Sequence, residues 1–336
     1  MKRKAKPDSD ETPKKVSMHT VKLDAKQAAT LQKILIEKGW VSAVVDHAAF
    51  AYKGPSVNLV HYQSGKCVIS GKGTEEFVKF TLEPDVTGQA LLGYEAELNP
   101  EWFEEHAGLD ESGKGDLFGP VVSACVIATG DMVREWIELG IKDSKKLTDT
   151  KIAELDRVIR ETPGVSVRTT FARMAKYNEL HSRFGKNLNR LLGWMHATSC
   201  EEALKGYELA HGRKPVWGLL DQFSEEPLVQ KELARKGVTF DLRMRTKAES
   251  DPVVAAASIV ARATFVRELE RLSTDGGVKL PKGSGAEAKA AATELVGRLG
   301  PAILVNFAKL HFKTAYEARG LEPPAPKPFK GRKKAE

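Results

Sequence analysis

Two adjacent acids in front of a glycine-lysine-glycine turn are the first feature of this chain able to do chemistry. They lie in Gly108-Leu109-Asp110-Glu111-Ser112-Gly113-Lys114-Gly115-Asp116-Leu117-Phe118-Gly119-Pro120. Its letters also fit GxxxxGK, the opening of a phosphate-binding loop. That reading fails, because such a loop needs Ser or Thr after the lysine and then a helix, whereas Gly115 follows and a β-branched run begins at Val121. Asp110 and Glu111 would also sit inside the cradle and repel a phosphate. The pair suits metal-dependent cleavage of a phosphodiester instead: hard divalent cations take carboxylate oxygens, and glycines let a backbone approach nucleic acid closely. An isolated acidic pair is more commonly a solvated turn, so further carboxylates are needed.

Two others meet that need. Asp221 closes the apolar run Val216-Trp217-Gly218-Leu219-Leu220, which puts an acid at the end of a buried strand. Glu249 lies in Thr246-Lys247-Ala248-Glu249-Ser250-Asp251, at the mouth of a long helix. Asp251, directly before Pro252, reads as that helix's cap rather than as a catalytic acid.

The elements that must position these acids follow from periodicity. Val121 to Ala128 is a β-branched run expected to form a buried strand, as are Ser166 to Ala172 and Val216 to Leu220; Val238 to Met244 alternates like another. Leu188, Leu191, Leu192, Met195 and Ser199 mark the buried stripe of a helix, and a second long helix runs from Pro252 to about Leu272. Upstream, a strand at Thr20 to Leu23 precedes a helix at Ala25 to Lys38 capped by Asp24. Three short runs, Ala48 to Lys53, Ser56 to Tyr62 and Lys66 to Ser70, read as a meander, with a helix from about Thr74 to Phe80 after them. The mixture predicts an α/β or α+β architecture in about two units, as 336 residues suggest.

Composition narrows the partners. The net charge is +7, with +3 in residues 1–16 and +3 in residues 322–336, so the body is nearly neutral and must meet a polyanion through a local patch. The basic tails add salt-sensitive attraction to phosphates. Cys67, Cys125 and Cys200 are odd in number, far apart and form no CxxC pair, which argues against a disulfide framework or a zinc site. No apolar run approaches the roughly 20 residues of a membrane span, and the basic start lacks the apolar stretch of a secretory signal. A cytoplasmic protein without membrane attachment is expected.

Together these residues resemble the type 2 ribonucleases H, and within them ribonuclease HIII. The motifs that carry the resemblance run in order: Asp110-Glu111-Ser112-Gly113-Lys114-Gly115-Asp116, Lys142-Asp143-Ser144-Lys145-Lys146-Leu147, Tyr177-Asn178-Glu179-Leu180, Leu220-Asp221-Gln222-Phe223 and Lys247-Ala248-Glu249-Ser250. Leu280-Pro281-Lys282-Gly283-Ser284-Gly285 and Ala308-Lys309-Leu310-His311-Phe312-Lys313 extend it, to cover about residues 20–318. A lysine between the glycines, a glutamate as fourth acid and an added N-terminal unit favour HIII over HII.

The resemblance implies a ribonuclease H-like mixed sheet flanked by helices, with an N-terminal βαβββα domain similar to half of a TATA-box-binding protein. The expected division is a disordered basic tail at 1–16, that substrate-binding domain at 17–83, a linker at 84–104, the catalytic domain at 105–318 and a Pro/Lys-rich tail at 319–336. It implies an endoribonuclease that cuts the RNA strand of RNA/DNA hybrids with two Mg2+ or Mn2+ ions, leaving a 3′-hydroxyl and a 5′-phosphate. A monomer with no obligate protein partner goes with it. Asp110 would bridge the metals, Glu111 and Asp221 would each serve one metal or its water, and Glu249 would serve the second site. Alternation sends Asp110 and Glu111 to opposite faces of a regular strand, so either the chain bends there or Glu111 contributes its backbone carbonyl. Ser112, Gly113, Lys114 and Gly115 would read the 2′-hydroxyl and phosphate, with Lys145, Lys146, Asn178, Lys309, His311 and Lys313 as further backbone contacts. Alternatives are cleavage at single embedded ribonucleotides, as in ribonuclease HII, and hybrid binding without cleavage.

Overall fold

The structure, a computed structural model, describes residues 17–88, 95–141 and 147–324. The expected basic tail at 1–16, the end of the C-terminal tail from 325, and Lys145 and Lys146 lie outside the described residues. The chain divides into two compact units, one ending at Phe103 and the other beginning at Glu104.

In the first unit, β1 (Met18–Lys22) leads into α1 (Ala25–Glu37), whose start is set by Asp24: its side chain accepts from the Gln27 amide while the Gln27 side chain returns to the Asp24 amide. Then come β2 (Val41–Ser42), β3 (Ala48–Lys53), β4 (Asn58–Tyr62) and β5 (Lys66–Ser70), which form an antiparallel sheet in the order β1-β5-β4-β3-β2. β2 is a strand that two residues of sequence cannot announce. Leu31 and Leu35 of α1 are buried with Leu59, Cys67 and Ile69 of the sheet. The chain does not turn into a linker at 84. After α2 (Thr74–Phe77) it continues as a π-helix, Val78–Thr87, because Val78, Leu82 and Val86, spaced by four, are drawn into the same core. Gly88, with φ +67°, ends it. A short helix α3 (Glu95–Leu98) and a 3-10 turn, Pro100–Phe103, follow.

The second unit holds a mixed sheet in the order β10-β9-β6-β7-β8, built from β6 (His106–Ser112), β7 (Val122–Ala128), β8 (Ser166–Phe171), β9 (Trp217–Asp221) and β10 (Asp241–Arg245). β6, β9 and β10 are parallel, and β7 and β8 are antiparallel to their neighbours. Between β7 and β8 lie α4 (Gly130–Glu138) and α5 (Asp149–Glu161), and between β8 and β9 lie α6 (Met174–Arg183) and α7 (Leu188–His211). α8 (Leu228–Arg235) separates β9 from β10, and α9 (Pro252–Gly276), α10 (Ala286–Leu299) and α11 (Lys313–Ala318) complete the unit.

Two helices sandwich this sheet. α7 packs Ala197, Cys200, Ala203 and Leu204 against Ala107, Leu109, Cys125, Ile127 and Leu220. Cys125 and Cys200, remote in sequence, thereby meet as buried free thiols. α9 covers the opposite face. Asp251 caps it by accepting from the Val253 and Val254 amides, Pro252 takes the first helical position, and His106 Nε2 lies 3.1 Å from the same Asp251 oxygen.

Gly108 lets the two backbones meet. A Cβ there would stand 2.3 Å from the Val253 carbonyl carbon and 2.4 Å from the Val254 nitrogen, both backbone atoms that cannot yield cheaply. Gly108→Ala is therefore expected to destabilise the second unit by about 3 kcal/mol or more, at the upper end of overpacking costs. A denaturant midpoint within error of the parent protein would refute the close packing of α9 on β6. Among the described residues no helix is long and apolar enough to cross a membrane.

Candidate active site

The two faces of the sheet separate the acidic pair. β6 pairs with β7 in unbroken register through Asp110↔Ala124 and Glu111↔Ser123, so the chain does not bend before Ser112 and the two side chains emerge on opposite sides. The bend allowed for in the sequence does not occur.

On the α9 face, β6 and β9 align Leu109 with Leu220, and the next residue of each strand is an acid. Trp217 and Leu219 pack with Ala248 and Val254, so alternation brings Asp221 to that same face, beside Asp110. Asp110 is only 8% exposed. Its carboxyl is pushed up to about 7, first by burial and then by the charges of Glu111 and Asp221, against hydrogen bonds from Ser258 of α9 and the Glu111 amide. Asp221 accepts from the Ala248 amide at 3.0 Å and so ties down the 3-10 turn Ala248–Ser250 that carries Glu249. Glu249 has one buried carboxylate oxygen, Oε2, with no hydrogen-bond partner.

The other face holds residues that the sequence motifs did not single out. His196 of α7 is fully buried, with Nε2 3.0 Å from a Glu111 oxygen and Nδ1 2.9 Å from the Ser123 hydroxyl. Ser199 stands 3.0 Å from Ser123 and donates to the His196 carbonyl. Lys114 reaches the second Glu111 oxygen at 3.7 Å. Both groups rest on Phe223: the His196 ring stacks at 5.4 Å between centroids, and the Lys114 ammonium lies 5.6 Å from the centroid. Burial would raise the Glu111 carboxyl, but His196 and Lys114 outweigh it and hold the group below its ordinary range. His196 was not picked out in the sequence: it follows Met195 of the α7 stripe, and nothing local marks it as the partner of Glu111.

The glycine-lysine-glycine turn is built for contact. Gly113 has φ +87°, and a Cβ would meet the Pro120 carbonyl oxygen at 2.3 Å, so only glycine closes the loop. Gly115 faces open space, with nothing within 4 Å of where a Cβ would be.

The outlying candidates divide. Lys313, 74% exposed in its side chain, remains at the surface beside Glu317. Asn178 is turned toward the protein: its amide donates both N–H groups to the Val305 and Ala308 carbonyls, and its oxygen accepts from the Leu310 amide. Lys309 is fully buried and cannot touch a phosphate. His311 stacks on His181 at 4.3 Å and is lowered to about 4, by burial first and then by His181 and Lys309, which leaves it neutral at physiological pH.

Do these acids fit a divalent cation? Among the described residues no group of three or more His, Cys, Asp or Glu already forms a cage for one. Magnesium seldom uses such a cage; it keeps waters and is held by one or two carboxylates together with substrate phosphates. Adjacent Asp110 and Asp221, with an unpartnered Glu249 oxygen on the tethered turn, fit that mode.

A mixed sheet of this order, with acids on the neighbouring parallel strands β6 and β9, is that of a ribonuclease H-like domain. The description "Ribonuclease HII" belongs to the family model that matches residues 107–315. Ribonuclease HIII of Chlamydia muridarum is 38% identical over 297 residues, spanning 87% of this chain and 93% of that protein. The Chlamydia pneumoniae enzyme is 39% identical over 290 residues, 84% and 92% of the two chains. Among solved structures, Bst ribonuclease HIII in complex with Mn2+ aligns with TM-score 0.62 at 28% identity, covering 90% of this chain and 98% of its own. The chain belongs to the ribonuclease HIII family. It is thus an enzyme, an endoribonuclease of the ribonuclease H kind.

Proposed function

We propose that this protein hydrolyses the RNA strand of RNA/DNA hybrids, leaving a 3′-hydroxyl and a 5′-phosphate, with two divalent cations, Mg2+ or Mn2+, at Asp110, Asp221 and Glu249. The observation that carries this reading is the buried Asp110 carboxyl, pushed up to about 7 by burial and its acidic neighbours. Such a group calls for positive charge. When bound, the cations lower the pKa of an attacking water and stabilise the departing 3′-oxygen in an in-line displacement. The solved Bst relative in complex with Mn2+ supports the choice of ion.

The chain's own residues divide the remaining work. Asp110 and Asp221 would hold the cations together with Glu249, and Asp221 also fixes the turn that presents Glu249. Glu111, with its carboxylate held on the far face by His196, would offer a cation only its backbone carbonyl, and its carboxylate keeps Lys114 in place for a phosphate. Selection of RNA rests on the 2′-hydroxyl, read by the backbone of Ser112 to Gly115, where exposed Gly115 admits the strand. Labelled hybrid, a duplex with a single ribonucleotide, and plain duplex DNA, each offered with Mg2+ and with Mn2+, test the reading. Cleavage confined to the single ribonucleotide would favour the HII-like alternative, and binding without cleavage the noncatalytic one.

The N-terminal unit is proposed to bind substrate. Every acid assigned to chemistry lies beyond Phe103, so deleting residues 1–103 is expected to raise KM for hybrid about tenfold or more while kcat falls much less, the signature of lost uniform binding. A truncated protein that is folded by circular dichroism and has an unchanged KM would remove the unit from substrate binding.

A further inference from the structure

Beneath the substrate loop lies a lysine with no access to solvent. Lys309 has 0% exposure, and its ammonium donates to the backbone carbonyls of Asp116 and Gly119. Both belong to the loop that Gly113 and Pro120 close. The Lys309 amide donates to the Leu117 carbonyl, and the Gly119 amide to the Phe307 carbonyl. From the other side the Leu117 amide donates to the Gly283 carbonyl, and the Gly283 amide to the Asp116 carboxylate. The loop is thus pinned by two segments more than 160 residues away along the chain.

A buried charge this costly is retained where its hydrogen bonds fix a shape that apolar packing would not. Burial pulls the ammonium down to about 7, opposed by the Asp116 carboxylate. The two N–H groups of a neutral amine suffice for the two carbonyls, and the Tyr177 ring lies 5.8 Å from the nitrogen.

We infer that Lys309 is a specificity-determining positioning residue: it never touches nucleic acid but sets the shape of the Ser112–Gly119 segment that distinguishes hybrid from DNA. This rests on the proposed reading of the 2′-hydroxyl by Ser112 to Gly115. A direct phosphate contact, by contrast, would release counterions, and each one contributes about 0.9 to the slope of log affinity against log salt on duplex DNA.

The test measures binding of a hybrid and of the matching DNA duplex over a range of salt, without divalent metal so that nothing is cut. Lys309→Met keeps the volume and removes the donors; Lys309→Gln restores N–H donors one bond short. Both are checked for folding by circular dichroism, and Lys309→Gln carries the test if the Met variant does not fold. The expected result is a preference for hybrid that falls about tenfold to a hundredfold in Lys309→Met, the scale of a 1 Å misplacement. Part of it returns in Lys309→Gln, and the salt slope stays unchanged. A folded variant that keeps the parent's preference, or whose slope drops by about one unit, overturns the inference. If the parent protein itself shows no preference for hybrid, the proposed function falls too, which separates that failure from this one.

Discussion

Replacing Asp110 by Asn is expected to slow hybrid cleavage by at least about a thousandfold, because it removes several kcal/mol of transition-state stabilisation that depends on the metal. Binding of hybrid should survive, since Asp110 makes no phosphate contact, and the Asn oxygen can still accept from the Glu111 amide as Asp110 does at 2.7 Å. Asp221→Asn should behave alike: its oxygen can keep the Ala248 amide and hold the Glu249 turn, so the loss reports charge rather than collapse. Glu249→Gln should lose less and recover in part at higher metal concentration. Comparing single-turnover rates with metal-free hybrid affinity checks all three. A near-parent rate in the Asp110 or Asp221 variant at saturating Mg2+ would remove these acids from catalysis.

The second large effect is on stability. Asp110 holds its proton to about 7 in the folded protein but only to 3.8 in the open chain. Between those values the folded state carries more protons than the unfolded, so this group makes stability fall as pH rises from about 4 to 7, by at most about 4 kcal/mol. Lys309 acts in the opposite sense. Lowered from 10.5 to about 7, it carries fewer protons folded than unfolded above pH 7, so its contribution makes stability rise from there. The lowered histidines, His311 foremost, work against the Asp110 limb between about pH 4 and 6.5, so the Asp110 contribution is read as the difference between parent and Asp110→Asn in thermal melts in a chelator. Divalent cation should lift the falling limb, as should Asp110→Asn, whereas Lys309→Met should flatten the rising one. A stability difference between parent and Asp110→Asn that stays constant from pH 4 to 7 without metal would mean that Asp110 is not held protonated.

Local rules made some of this visible in advance. Asp221 at the end of an apolar run and Asp251-Pro252 at a helix start are signals written in neighbouring residues, and β9 and α9 lie where those signals put them. Gly113 likewise followed from turn chemistry. What stayed hidden depends on residues distant in sequence. That His196 holds Glu111 requires α7 to lie across β6 and β7, and nothing in a helical stripe tells a ligand-holding histidine from a packed one. Lys309 and Asn178, polar residues inside family motifs, read as substrate contacts, yet backbone groups distant in sequence claim them: Lys309 satisfies carbonyls of the 113–120 loop, and Asn178 those of Val305 and Ala308. The π-helix over Val78–Thr87 was missed because Pro84 and two acids look like a linker until the core beneath Leu82 and Val86 is known.

The most direct measurement is the product pattern from an end-labelled RNA/DNA hybrid incubated with this protein and Mg2+ or Mn2+, beside the matching DNA duplex and a metal-free control. Cuts at many positions within the RNA strand, ending in 3′-hydroxyl and 5′-phosphate and absent without metal, without RNA and in the Asp110→Asn variant, are the predicted result. Cleavage that persists in a chelator, or in the Asp110→Asn variant, would contradict it.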